Sequence, residues 1–104
     1  MEAYQIRGKK VEFKFSVPTK ENGDIAEDFD FSKKPAVATC GIEDLFPDFS
    51  LFDFQVFVKT VFAILRAKAA LQRMDYLQVI TIEGKEVWCI DNGCDICLLN
   101  KDEY

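Results

Sequence analysis

The stretch from Ser50 to about Met74 constrains the fold more than any other part of this chain. Set at 100° per residue, it places Phe54, Phe57, Val58, Val61, Ile64 and Leu65 on one face, with Phe62 at its edge. Gln55, Lys59, Arg66 and Arg73 form a polar stripe elsewhere, and Ala63, Ala67 and Ala70 make a small-residue flank. Ser50 with Asp53 three residues on fits a helix N-cap followed by an acid in the first turn. Basic residues crowd the last turns, where they suit the helix dipole. The spacing predicts a helix over 50–74, about seven turns long. A helix with this much phenylalanine has to bury that face, and a sheet is the remaining element that can receive it.

The rest of the chain supplies strands. AYQI and VEFKFSV flank RGKK, and Val11, Phe13, Phe15 and Val17 alternate with Glu12, Lys14 and Ser16. A turn at Gly8-Lys9 would set Ile6 opposite Val11 and Tyr4 opposite Phe13. Beyond the helix come LQVITIE, a glycine-first II′ turn at Gly84-Lys85, EVWCID, an Asn92-Gly93 turn and CDICLL. AVAT predicts a further short strand, and GIEDLF a short helix stopped by Pro47. The expectation is a single α+β domain over 1–104. An antiparallel sheet of about five strands, ordered ββ-α-βββ, packs on one long helix. Residues 18–35, bounded by Pro18 and Pro35, form an acidic surface loop, and 77–99 a three-stranded meander. At 104 residues such a chain can build one core.

Alternation divides the meander into two faces. Ile80, Ile82, Val87, Cys89, Ile96 and Leu98 can receive the helix. The opposite face carries Leu77, Val79, Thr81, Trp88, Ile90, Cys97 and Leu99, apolar enough to need a cover. Leu77, Val79, Trp88 and Ile90 mark it as a self-association face, and a homodimer is expected.

Three of the four cysteines fall in Cys89-x4-Cys94-x2-Cys97, with Cys40 far upstream. Paired thiolates make a metal site when a tight turn aims both at one ion. An Asn92-Gly93 turn instead sets Asp91 opposite Cys94, Cys89 opposite Ile96 and Trp88 opposite Cys97. That register sends Cys94 and Cys97 to opposite faces. The chain has no histidine to replace a missing ligand. The thiols therefore read as small apolar residues, and neither metal nor cofactor is expected. A structural or nucleic-acid-binding module with a four-cysteine zinc is the alternative. A redox role is disfavoured because Asp95 lies beside the pair and no helix opens there.

Without histidine, a serine or cysteine nucleophile lacks its usual base. There is no glycine-rich phosphate loop, and a catalytic role is not expected.

Charge is distributed unevenly. Residues 21–53 hold nine acids against Lys33 and Lys34, a net −7 in a chain whose total is −5. That field disfavours nucleic acid as a direct ligand and favours a basic protein surface. Within it, EDFDF and EDLFPDFSLFDF interleave acids with phenylalanines. Packed loop anchors kept soluble by their acids explain the pattern in structural terms. As a partner-binding surface it would use Asp24, Glu27, Asp28, Phe29, Asp30, Phe31, Glu43, Asp44, Asp48 and Phe49. A homo-oligomer with no such role is a further alternative.

The ending VWCIDNGCDICLLNKDEY resembles the C-termini of small uncharacterised accessory proteins of phages, prophages and plasmids. These share a W-x-I-D strand and a final L-x-x-x-E-Y, and the likeness spans Ile80 to Tyr104. It implies a non-enzymatic accessory protein of a mobile element, of the anti-CRISPR or anti-restriction type, that inhibits a nucleic-acid-handling host defence complex. MEAYQIRGKK lacks the apolar core of a signal peptide, so a cytoplasmic location with reduced thiols is expected.

Overall fold

A computed structural model describes residues 2–17, 35–72, 74–91 and 95–101. The order along them is β1 (Glu2–Ile6), β2 (Lys9–Lys14), β3 (Ala36–Ala38), α1 (Cys40–Glu43), α2 (Leu51–Ala69), β4 (Leu77–Ile82), β5 (Lys85–Asp91) and β6 (Ile96–Asn100). The long helix begins where its cap requires. The Ser50 hydroxyl accepts from the Asp53 amide at 3.1 Å, and the Asp53 carboxylate accepts in return from the Ser50 amide at 3.4 Å. This reciprocal pair satisfies donors that the first turn would otherwise leave bare.

Its end differs from expectation. The helix stops at Ala69 after 19 residues, not at Met74. The Leu71 amide closes on the Lys68 carbonyl at 2.9 Å, tightening the final turn. Met74 is then drawn into the core, 1% exposed, and the Asp75 amide bonds the Ser16 carbonyl at 3.1 Å. A longer helix would carry the chain away from β4.

The strands form one six-stranded mixed sheet, ordered β1-β2-β4-β5-β6-β3. It is antiparallel except for β3, which pairs in parallel with β6, Val37 facing Cys97. The AVAT strand and the short helix ahead of Pro47 both form, and the fold is α+β, with six strands among the described residues instead of five.

Two hairpin turns fall one residue earlier than expected. Arg7 and Gly8 have φ of 51° and 82°, and Glu83 and Gly84 have 49° and 82°. Two successive positive φ values belong to a type I′ turn, whose twist matches the flanking strands, so glycine takes the second position, not the first. Tyr4 therefore faces Val11, and Ile6 faces Lys9. The third connection is longer, because Asp91 pairs with Ile96 and Trp88 with Leu99. Four residues separate those strands, of which Asn92, Gly93 and Cys94 lie outside the described residues. The β1–β2 and β5–β6 registers each move by two positions, so every described side chain of these strands stays on its expected face.

One face buries Val11, Phe13, Ile80, Ile82, Val87, Cys89, Ile96 and Leu98 against Phe57, Val61, Phe62 and Leu65 of α2. Gln78 is polar in this apolar company and fully bonded. Its Nε2 donates to the Ser16 and Asp75 carbonyls and its Oε1 accepts from the Ser16 amide, each at 2.9 Å. On the other face Ile90 and Leu99 are buried apart from that cluster, while Leu77, Val79, Trp88 and Cys97 are half-buried and Val37 is exposed. Among the described residues, no helix is long and apolar enough to cross a membrane.

Candidate interaction surface

The segment entering α2 is clamped between the helix and the β1–β2 turn. Phe46 is buried, Phe49 half-buried, and their rings stack with centroids 4.9 Å apart. Phe46 also meets Phe57 at 4.7 Å. Above these rings the turn delivers two cations. Lys9 Nζ lies 3.1 Å from the Asp48 carboxylate and 5.3 Å from the Phe49 ring centroid. The Arg7 guanidinium hydrogen-bonds the Asp53 carboxylate and lies 5.8 Å from the Phe52 ring centroid. Both cations thus combine a carboxylate with an aromatic face.

These pairings set the local electrostatics. The bond from Arg7, then that from Ser50, holds the Asp53 carboxyl below the usual carboxylate range. The Lys9 ammonium does the same for Asp48. Both acids are therefore ionised, yet their charge is largely answered from within the molecule.

Of the ten residues expected to form an acidic partner surface, four can be placed. Glu43 and Asp44 are exposed at the end of α1. Asp48 is exposed but paired with Lys9, and Phe49 serves mainly as a packing anchor. Asp24, Glu27, Asp28, Phe29, Asp30 and Phe31 lie outside the described residues, as does the rest of the 18–34 stretch. Glu43 and Asp44 share a groove of about 310 Å³ with Leu51 and Phe54. Leu51 and Phe52, each 66% exposed at the start of α2, fall in the acid–phenylalanine stretch but outside the ten residues assigned to its partner surface. The i, i+3, i+4 spacing that put Phe54 and Phe57 inside left these two outside, so the signal was in the helical wheel.

The sheet's second face brings together the expected self-association set from two strands, β4 and β5. Leu77 pairs with Ile90 and Val79 with Trp88, and the Trp88 indole N–H donates to Glu86 at 2.9 Å. Cys89 and Cys97 fall on opposite faces, since Cys89 pairs with Leu98 and Cys97 with Ile90. Burial, reinforced by Cys97 and Asp91, pushes the Cys89 thiol far above its ordinary range, so it stays protonated and inert. The two sulfurs cannot meet at one ion through the sheet.

Comparison with protein-family models, with curated proteins and with solved structures finds no match to this chain.

Proposed function

We propose that this chain is a non-enzymatic protein-binding protein that docks a basic partner surface against the start of α2. The observation that carries this reading is the juxtaposition of Glu43 and Asp44 with the exposed Leu51 around one groove, with Phe52 beside it. Carboxylates with no ion pair among the described residues steer a cationic partner, and an exposed aromatic and leucine give it apolar anchors. Asp48 and Asp53 contribute less than their charge suggests, because Lys9 and Arg7 neutralise them. The C-terminal likeness to mobile-element accessory proteins extends the proposal: the partner would be a host complex that handles nucleic acid, and binding would inhibit it.

The test is affinity capture from cell extract with wild-type protein and with the triple variant Glu43→Lys, Asp44→Lys, Phe52→Ala. Proteins held by the wild type and released by about 0.5 M salt should be missing from the variant, whose melting temperature stays within a few degrees. Identical captured sets would sink the reading.

Self-association through the second sheet face is a second reading, favoured by Leu77, Val79 and Trp88 remaining half-exposed there. Sedimentation across a hundredfold concentration range decides it: a dimer mass supports the face, and a monomer throughout removes it.

A further inference from the structure

The tip of the β1–β2 turn places a guanidinium in a seat built by the first turn of α2. Arg7 hydrogen-bonds the Asp53 carboxylate and lies 5.8 Å from the Phe52 ring centroid. A carboxylate and an aromatic ring sharing one guanidinium is an arrangement by which proteins hold a partner's arginine. Here the arginine is the chain's own.

Its hold is weaker than that of its neighbour. Lys9 donates to both Asp48 oxygens, at 3.1 and 3.3 Å, its ammonium lies within 6.0 Å of the Phe46 and Phe49 ring centroids, and its side chain is only 20% exposed. Arg7 meets one Asp53 oxygen and one ring, and its side chain is 39% exposed. Lys9 therefore anchors the turn, whereas Arg7 sits at its outer limit, in the kind of exposed pair that exchanges at little cost.

The seat does not depend on Arg7. Asp53 uses Oδ2 to accept from the Ser50 amide at 3.4 Å and hydroxyl at 3.0 Å, and offers Oδ1 to Arg7. The capping box thus fixes the carboxylate through one oxygen and leaves the other for a cation. With Phe52 next to it on the helix, the seat is organised before any partner arrives. It also adjoins the docking groove. A hollow of about 330 Å³ lined by Arg7, Asp48, Phe49 and Asp53 shares Phe49 with the groove of Glu43 and Asp44.

We propose that Arg7 is a built-in competitor, which fills the Asp53–Phe52 seat in the free protein and yields it to an arginine of the partner. This rests on the reading of the start of α2 as a docking face, and it narrows the partner to one that presents arginine beside its contact with Glu43 and Asp44. The seat is open only in molecules whose Arg7 has swung away, so apparent affinity falls by that fraction.

The experiment titrates the full chain, isotope-labelled for NMR, with a capped tetra-arginine peptide. Arg7→Gln should bind about fivefold more tightly than wild type, with the largest shifts at Phe52 and Asp53. Lys14→Gln removes the same charge from an exposed position at the far end of β2 and should change affinity by less than about twofold. Adding Phe52→Leu to Arg7→Gln should cancel most of the gain without disturbing the core resonances. Equal affinities for Arg7→Gln and Lys14→Gln overturn the proposal, as do shifts that avoid Phe52 and Asp53 or tetra-lysine binding as tightly as tetra-arginine. Capture from extract turns on Glu43 and Asp44 and this titration on Arg7 against Lys14, so the docking reading and the competitor fail in separate measurements.

Discussion

Arg7, at the tip of the β1–β2 turn, is hydrogen-bonded to Asp53, the acid that closes the capping box of α2. One carboxylate thus serves as helix cap and as the counter-ion of a turn 46 residues away. Lys9 repeats the arrangement on Asp48, and Lys68 reaches Glu2 at 2.7 Å from the far end of the helix. The helix is tied to the first hairpin at both ends by ion pairs and in its middle by apolar burial.

Removing the cap should therefore show in stability. Ser50→Ala is expected to cost about 1 kcal/mol, measured by urea denaturation. Asp53→Asn should destabilise as well. A double-mutant cycle with Arg7→Ala should give a non-additive result, since the two side chains share one bond.

Acid should loosen the same contacts. Asp53, Asp48 and Glu2 are each held below the ordinary carboxylate range by Arg7, Lys9 and Lys68 respectively. A depressed folded value means the stabilisation is fully present above the unfolded value and is lost as pH falls through the folded one. The melting temperature should be flat from about pH 7 to 5 and fall steadily below about pH 4. Asp53→Asn should show a shallower acid slope, and added salt should flatten the wild-type slope because these groups are exposed.

Interior and surface phenylalanines should part company. Phe57, fully buried under the stacked Phe46 and Phe49 rings, should cost about 3–5 kcal/mol when replaced by alanine. Phe52→Ala, at a site 66% exposed, should change stability by less than about 0.5 kcal/mol. Equal losses at both would contradict the burial pattern.

The two type I′ turns make a backbone prediction. Gly8 and Gly84 both hold φ near +82°, with open space where a Cβ would stand. Alanine at either should cost about 1 kcal/mol from backbone strain alone, with no steric contribution. Comparable losses at the two sites would confirm that strain, not packing, is responsible.

Thiol labelling should separate the cysteines by face. Under native conditions Cys89 should resist maleimide, being buried and protonated, while the half-buried Cys97 reacts sooner. Peptide mass analysis reads each site separately.

Side-chain alternation and helical spacing made the faces legible before the geometry was known. Trp88 and Cys89 lie on the sides their neighbours implied, and Ser50 begins the helix that its side chain can cap. Turn positions were less legible, because Gly8 and Gly84 each admit two turn types that differ in whether the glycine takes the first or the second turn position. The end of α2 was hidden for another reason. Leu71, Gln72 and Arg73 continue a helical pattern, and only the burial of Met74 diverts the chain. The acidic surface was legible as a charge count but not as a surface. Nothing in the sequence pairs Asp48 with Lys9 or Asp53 with Arg7 across some forty residues. The parallel pairing of β3 with β6 was invisible too, since AVAT reads as a strand without naming its neighbour.

The place of β3 in the sheet also bears on how the chain acquires its shape. Ala36 pairs with Ile96, about sixty residues later, and β2 waits for β4 across a similar gap. During synthesis, β3 leaves the ribosome with no strand to join until β6 follows. The β4–β5–β6 meander can zip locally, but β2 and β3 must then be gathered onto its two flanks. Closing such distant pairs places this chain among slower-folding small domains, with β2 waiting longest for β4 and β3 nearly as long for β6. A chaperone or stabilising partner present during translation would matter most to those two strands.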